Sequence, residues 1–278
     1  MSNANTEEIR KLEKKDICQI KIDPLTIDKL WDRIKDYFNE YLLVGGFPEW
    51  FEIKKQDNAL DKWVSRLIND VPKKAIYEDM VSHYGIKNPK ILELILTFIA
   101  FNQSRILGYE TINEVARLDR STLVNYVEFL KTSFLIIEIL KFANVKEQMK
   151  AKKKFLIIDQ GLRNALLKDY QLKEDNIGFI IENLVGLNCF SQSRKEGNNL
   201  FYCRINDEVD FIFKDRKTLP IEVKYRNQIK RKEIKGLLSF LEKRDLREGV
   251  VITRNLYKKE TIGKNEIFFI PAWLLLLI

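Results

Sequence analysis

The stretch E-V-D-F-I-F-K-D-R-K-T-L-P-I-E-V-K-Y, residues 208–225, decides how the second half of this chain folds. Two short apolar runs flank the polar segment K-D-R-K-T, the signature of two strands joined by a tight turn. Strand side chains alternate between faces. Val209, Phe211, Phe213, Ile221 and Val223 therefore form one apolar face, with Glu208, Asp210, Glu222 and Lys224 on the other. A turn centred on Arg216 sets Asp210 across from Glu222 and Glu208 across from Lys224. Opposed residues in such a ladder have Cβ atoms about 5 Å apart. Two carboxylates that close repel each other unless a proton or a cation lies between them. A hard, oxygen-liganded ion such as Mg²⁺ suits that position. The plainer reading is an exposed strand edge decorated with charges. The apolar face, together with Ile212 and Pro220 on the charged side, argues that the acids lie near a core, where charge must be paired or metal-bound.

Ahead of this hairpin, G-F-I-I-E-N-L-V-G-L at 178–187 reads as a helix that is apolar almost all round. Its Glu182 is either the helix's one wet position or a carboxylate held in place for chemistry.

The chain has 278 residues, enough for about two domains. With 45% hydrophobic and 11% aromatic residues it is built for packed cores. No apolar run is long enough to span a bilayer, and no signal peptide is evident. The closing I-F-F-I-P-A-W-L-L-L-L-I is broken by Pro271 and reads as a strand, Glu266 to Ile270, followed by a segment packed on the core, with a membrane anchor as the alternative. The three cysteines, Cys18, Cys189 and Cys203, form no C-x-x-C pair, which fits a reducing, cytoplasmic setting. His83 is the one histidine, so neither a histidine-based metal site nor a Ser-His-Asp system is expected. Carboxylate–metal chemistry remains as the catalytic resource. The net charge is +8, and residues 214–264 alone carry 16 Lys and Arg against 7 acids. A cationic field around the hairpin is the footprint of a protein that meets a polyanion such as DNA. Arg226, Lys230, Arg231, Lys232 and Lys235 are the expected backbone contacts, unless they are an ordinary solvated face.

Residues 1–20 are polar and read as frayed, and residues 1–88 as a mostly helical N-terminal region. Leu30, Trp31, Ile34, Tyr37, Phe38, Tyr41 and Leu42 recur at helical spacing, and Gly45, Gly46 and Pro48 end that helix. Within 89–145 the order is helix from Pro89, helix at 111–118, a short turn at Asp119-Arg120, a third helix capped by Ser121 or Thr122, then the strand L-I-I-E-I-L-K-F at 135–142. That is the order of a winged helix-turn-helix, with Arg120, Ser121, Thr122, Asn125 and Lys131 available to DNA. A plain three-helix packing module is the alternative. Lys146 to Lys154 reads as a basic loop or wing tip. The remainder, 146–278, alternates strands and helices as a mixed α/β domain.

Two resemblances follow. The hairpin with its D, then E-x-K, resembles the PD-(D/E)XK nuclease superfamily, although Val209 stands where that family often has proline. The resemblance implies a restriction-endonuclease-like α/β domain following the winged-helix-like one. It implies a Mg²⁺ or Mn²⁺ cofactor held by Asp210, Glu222 and the Val223 carbonyl, with Lys224 orienting the attacking water and Glu182 supplying a further carboxylate. More widely, Y-L-L-V-G-G-F-P-E at 41–49, T-I-N-E-V-A-R-L, T-L-V-N-Y-V-E-F-L, F-L-I-I-D at 155–159, and the hairpin are similar to the C-terminal portion of a family of archaeal and bacterial AAA-type ATPases. An ATPase domain or subunit is therefore an expected partner. The sequence contains no G-x-x-x-x-G-K-[ST], so no ATP site is expected in this chain. The function implied is Mg²⁺-dependent hydrolysis of DNA phosphodiesters; the alternative is a non-catalytic DNA-binding or partner-docking module.

Overall fold

The computed structural model describes residues 22–80, 88–193, 199–204, 207–214 and 217–277. Cys18, His83, the N-terminal stretch 1–20 and the turn residues Asp215 and Arg216 lie outside them. The chain forms two compact units, residues 39–183 and residues 1–38 with 184–278. This division differs from one that starts the second domain at residue 146. The strand that follows that point pairs with the strand before it, so the segment up to Asn183 stays with the helices that precede it.

Helix α1 (Pro24–Val44) runs into residues 39–183, where α2 (Trp50–Ile53), α3 (Ala59–Ile68) and a π-helical stretch (Asn69–Met80) follow. Next come α4 (Pro89–Phe101), β1 (Ile106–Leu107), α5 (Tyr109–Ala116), α6 (Arg120–Thr132), β2 (Ile136–Lys141), α7 (Val145–Lys150), β3 (Lys153–Ile157) and α8 (Gln160–Leu167). Pro89 opens α4 at its first turn, where a missing N–H costs nothing. The cap of α6 is Asp119, not Ser121 or Thr122. Its carboxylate accepts the Thr122 N–H at 2.9 Å and both neighbouring hydroxyls, because an anion at a helix N-terminus is a better acceptor than either hydroxyl. The three strands form an antiparallel sheet in the order β1-β3-β2, with Ile106 opposite Lys154 and Ile137 opposite Leu156. Leu92, Ile95, Leu96, Ile99, Ile112, Leu123, Val127, Leu130, Phe155 and Leu162 interlock as one core beneath it.

The basic run 146–154 is not a loop. Asn144 caps α7 by accepting the Glu147 N–H, and Lys153 and Lys154 enter β3 with their side chains buried.

In the other unit the sheet order is β4-β5-β6-β7-β9-β8, from β4 (Leu200–Arg204), β5 (Glu208–Lys214), β6 (Thr218–Val223), β7 (Glu248–Thr253), β8 (Lys258–Ile262) and β9 (Asn265–Pro271). The β5–β6 hairpin is antiparallel, while β6-β7 and β7-β9 are parallel, which makes the sheet mixed. Helix α9 (Glu174–Ser193) precedes the sheet, and α10 (Lys235–Lys243) crosses between β6 and β7. Gly236 lets α10 ride against β5, since a Cβ there would lie 2.4 Å from the Glu208 carbonyl oxygen. The closing run forms β9 and then the short buried helix α11 (Ala272–Leu275), where Trp273 stacks on Trp31. Among the described residues no helix is long and apolar enough to cross a membrane.

Helix α8 approaches the turn after α1 so closely that a Cβ on Gly161 would lie 2.0 Å from the Val44 carbonyl oxygen. Gly161→Ala is therefore expected to cost about 2–3 kcal/mol of stability in urea unfolding. Gly178→Ala, on a helix and with nothing within 4 Å of the added methyl, should leave stability unchanged or raise it slightly.

Candidate functional site

The β5–β6 ladder pairs Phe211 with Ile221, Ile212 with Pro220 and Lys214 with Thr218. That is the register of a turn centred on Arg216, and one step further it brings Asp210 level with Glu222. The regular pairing ends at Phe211–Ile221, because the Asp210 side chain takes over: its Oδ2 accepts the Val223 N–H at 2.7 Å. Lys224 continues past β6, its N–H donating to the Ile252 carbonyl oxygen of β7 at 2.7 Å. Its Nζ folds back to Glu222 Oε1 at 2.5 Å and lies 3.4 Å from the Val223 carbonyl oxygen. Asp210 and Glu222 are buried, at 8% and 5% exposure, while Lys224 reaches partly into solvent. The apolar residues around them, Val209, Phe211, Ile212, Ile221 and Val223, are all buried. An aspartate, a glutamate, a main-chain carbonyl and a lysine thus meet at the C-terminal end of β6. The donors are hard oxygens held by buried backbone, a set that fits Mg²⁺ or Mn²⁺ and offers nothing to a thiophilic ion. Among the described residues no three His, Cys, Asp or Glu side chains converge on one point.

Glu182 lies on α9. Within residues 39–183 its Oε1 accepts a 2.7 Å bond from Lys154 Nζ, an ammonium that is fully buried. The adjacent Asn183 bonds both the N–H and the carbonyl of Ile157 at 2.9 Å, which pins the helix to β3. A buried ion pair held this way is costly to break from either side.

The cations Arg226, Lys230, Arg231 and Lys232, on the segment between β6 and α10, and Lys235, the first residue of α10, are all exposed. Glu233 organises them. It accepts the Lys230 N–H at 2.8 Å and a 2.8 Å bond from the Arg226 guanidinium, and these hold its carboxyl below the usual range. Lys235 lies 3.7 Å from Asp207.

Residues 35–173 match the family described as Domain of unknown function (DUF8612), which is half of the chain. The chain belongs to the DUF8612 family. Residues 177–275 match a second, Domain of unknown function (DUF4143), a kind found in ATPase-associated, AAA-like proteins. An uncharacterized protein of Haemophilus influenzae is 24% identical over 99% of this chain and 69% of its own length. Two uncharacterized proteins of Methanocaldococcus jannaschii are 30% and 22% identical over 89% and 79% of this chain. The chain spans 56% and 46% of the length of those two. No solved structure matches it.

Within the DUF8612 segment the structure joins two motifs that lie far apart in sequence. Asp159, at the start of α8, accepts the Gly46 N–H at 2.8 Å and the Leu162 N–H at 2.9 Å. Gly45 has φ +82°, and a Cβ on it would lie 2.2 Å from Asp159 Oδ1, so the Gly45-Gly46 pair is demanded both by conformation and by space. Asn164 donates to the carbonyls of Leu42 and Leu43, and Trp63 Nε1 donates to that of Val44. The sequence shows a helix-ending Gly-Gly and a strand-ending aspartate as separate features. Only their shared backbone polarity hints that one completes the other.

Burial pushes the Asp159 carboxyl above its ordinary 3.8, against the lowering effect of the N–H bonds. A carboxyl raised on folding binds more protons folded than unfolded, so stability falls as pH rises from about 4 through the raised value. Urea unfolding across that range should show the decline in the wild type. Asp159→Asn should flatten it while losing some stability throughout, because the amide replaces one acceptor by a donor.

Proposed function

We propose that the DUF4143 part of this chain is a restriction-endonuclease-like domain of the PD-(D/E)XK type that hydrolyses DNA phosphodiesters with Mg²⁺ or Mn²⁺, and that it works with an AAA-type ATPase. The observation that carries this reading is the burial of Asp210, bonded to the Val223 N–H, and of Glu222, the residue before Val223, with Lys224 against Glu222. Burying two carboxylates is costly, and a site that uses them explains the cost better than an edge decorated with charge.

In this reading Asp210, Glu222 and the Val223 carbonyl hold the ion. When bound, it polarises a phosphoryl oxygen and lowers the pKa of its water. The Val223 N–H fixes Asp210 by occupying Oδ2, which aims the carboxylate. Lys224 orients the attacking water and places positive charge beside the phosphate. Arg226, Lys230, Arg231, Lys232 and Lys235 hold the backbone without reading bases. Glu182, tied to Lys154, acts as a further carboxylate only if that pair opens. Residues 89–157, with their β1-β3-β2 sheet, support the winged-helix reading of the preceding region.

A second reading has its own support. Lys224 is already neutralised by Glu222, and Glu182 by Lys154, as in a platform that docks an ATPase or DNA without cutting.

Supercoiled plasmid incubated with Mg²⁺ or Mn²⁺ is expected to be nicked by the wild type. Asp210→Asn and Lys224→Ala should each slow cleavage about 100-fold or more. Cleavage that survives Lys224→Ala sinks the mechanism. Salt-sensitive DNA binding with no Mn²⁺ uptake by calorimetry selects the docking reading.

A further inference from the structure

Among the described residues the two most exposed large apolar side chains are Met149, at 78%, and Val145, at 73%. They lie four residues apart on α7, one turn of a six-residue helix at the tip of the β2–β3 ribbon, and so share a face. Single exposed apolar residues need no explanation. A matched pair on so short a helix does, because burial normally supplies most of a helix's stability and here none of its residues is buried. Lys146 and Lys150 form a second row one position along, again one turn apart, and both are exposed. From Lys141 to Lys152 the chain carries four lysines against Glu147 alone.

The neighbouring surface is different. The outward row of α6, Ser121, Asn125, Glu128 and Thr132, carries one negative charge and no positive one. Arg120 stands at the first residue of α6 and Lys131 is paired with Glu128, so the longest exposed run of positive charge on this ribbon-and-helix surface lies at the ribbon tip.

We propose that α7 is a docking surface for duplex DNA, with Val145 and Met149 as an apolar wedge in a groove and Lys146 and Lys150 on the flanking phosphates. One or two apolar side chains flanked by cations are what a wedge against a base step requires. A lipid surface fits less well, since two side chains on one helical turn offer too little apolar area for stable anchoring. The inference rests on the reading of DNA as a partner but not on catalysis: it concerns residues outside the Asp210–Glu222 site.

The test uses the full chain carrying Asp210→Asn, in EDTA, so that cleavage plays no part. Binding to a labelled duplex of about 20 base pairs, two helical turns, is followed by anisotropy over a salt series. Lys146→Gln with Lys150→Gln should lower the slope of log affinity against log salt by about 2. Val145→Ser with Met149→Ser should leave that slope unchanged, weaken binding about tenfold and abolish duplex bending seen by energy transfer between its ends. Val145→Ile with Met149→Leu should restore both. Unchanged affinity and bending in the serine pair overturn the inference. So does duplex binding that responds only to substitution of Arg226, Lys230 and Arg231, an outcome that leaves the proposed function intact. Binding to phosphatidylserine vesicles that the serine pair abolishes, with no effect on duplex, also overturns it.

Discussion

A carboxylate removed from water must be answered by a donor or a cation, and this molecule is organised around four such answers. Asp159 is met by the backbone N–H groups of Gly46 and Leu162, and Asp210 by that of Val223. Glu182 is met by Lys154, and Glu222 by Lys224. Asp159 stands at the start of a helix, and Asp210 and Glu222 beside the end of the regular β5–β6 ladder, where main-chain groups become available, while Glu182 lies within α9. The two solutions differ in consequence. A backbone N–H fixes a carboxylate in one orientation and leaves its charge in place. An ammonium cancels the charge and can be displaced by another cation.

That difference separates Asp159 from Glu222. Asp159 is enclosed by glycine backbone on one side and by its own helix N-terminus on the other, and nothing but protonation alters it. Its work is to hold the chain reversal after α1 against α8, and Gly45, Gly46 and Gly161 are the price of that closeness. At the β5–β6 end the same device orients Asp210, but Glu222 is balanced by a partly exposed ammonium, that of Lys224.

The distribution of positive charge follows the same division. Around the hairpin, cations are numerous and partly tied down by Glu233 and Asp207, which spaces them along the segment between β6 and α10. At the ribbon tip they are few and stand beside exposed apolar side chains.

Period-2 alternation and the turn between Lys214 and Thr218 were enough to place the hairpin and its register from Phe211–Ile221 to Lys214–Thr218, since register is dictated locally by the turn and the apolar face. The order of helices and strand through residues 109–141 was legible for the same reason: amphipathic period and helix punctuation are local properties. What lay beyond the sequence was every partnership between distant segments. Lys154 reads as one more cation in a basic run, yet β-pairing with β2 and β1 draws it into the interior, where Glu182 must answer it. Gly45-Gly46 reads as a helix stop, yet its sharper role is to admit Asp159 from more than a hundred residues away. Local sequence carries the geometry of single elements, whereas burial, and with it the pairing of charge, exists only once those elements are stacked.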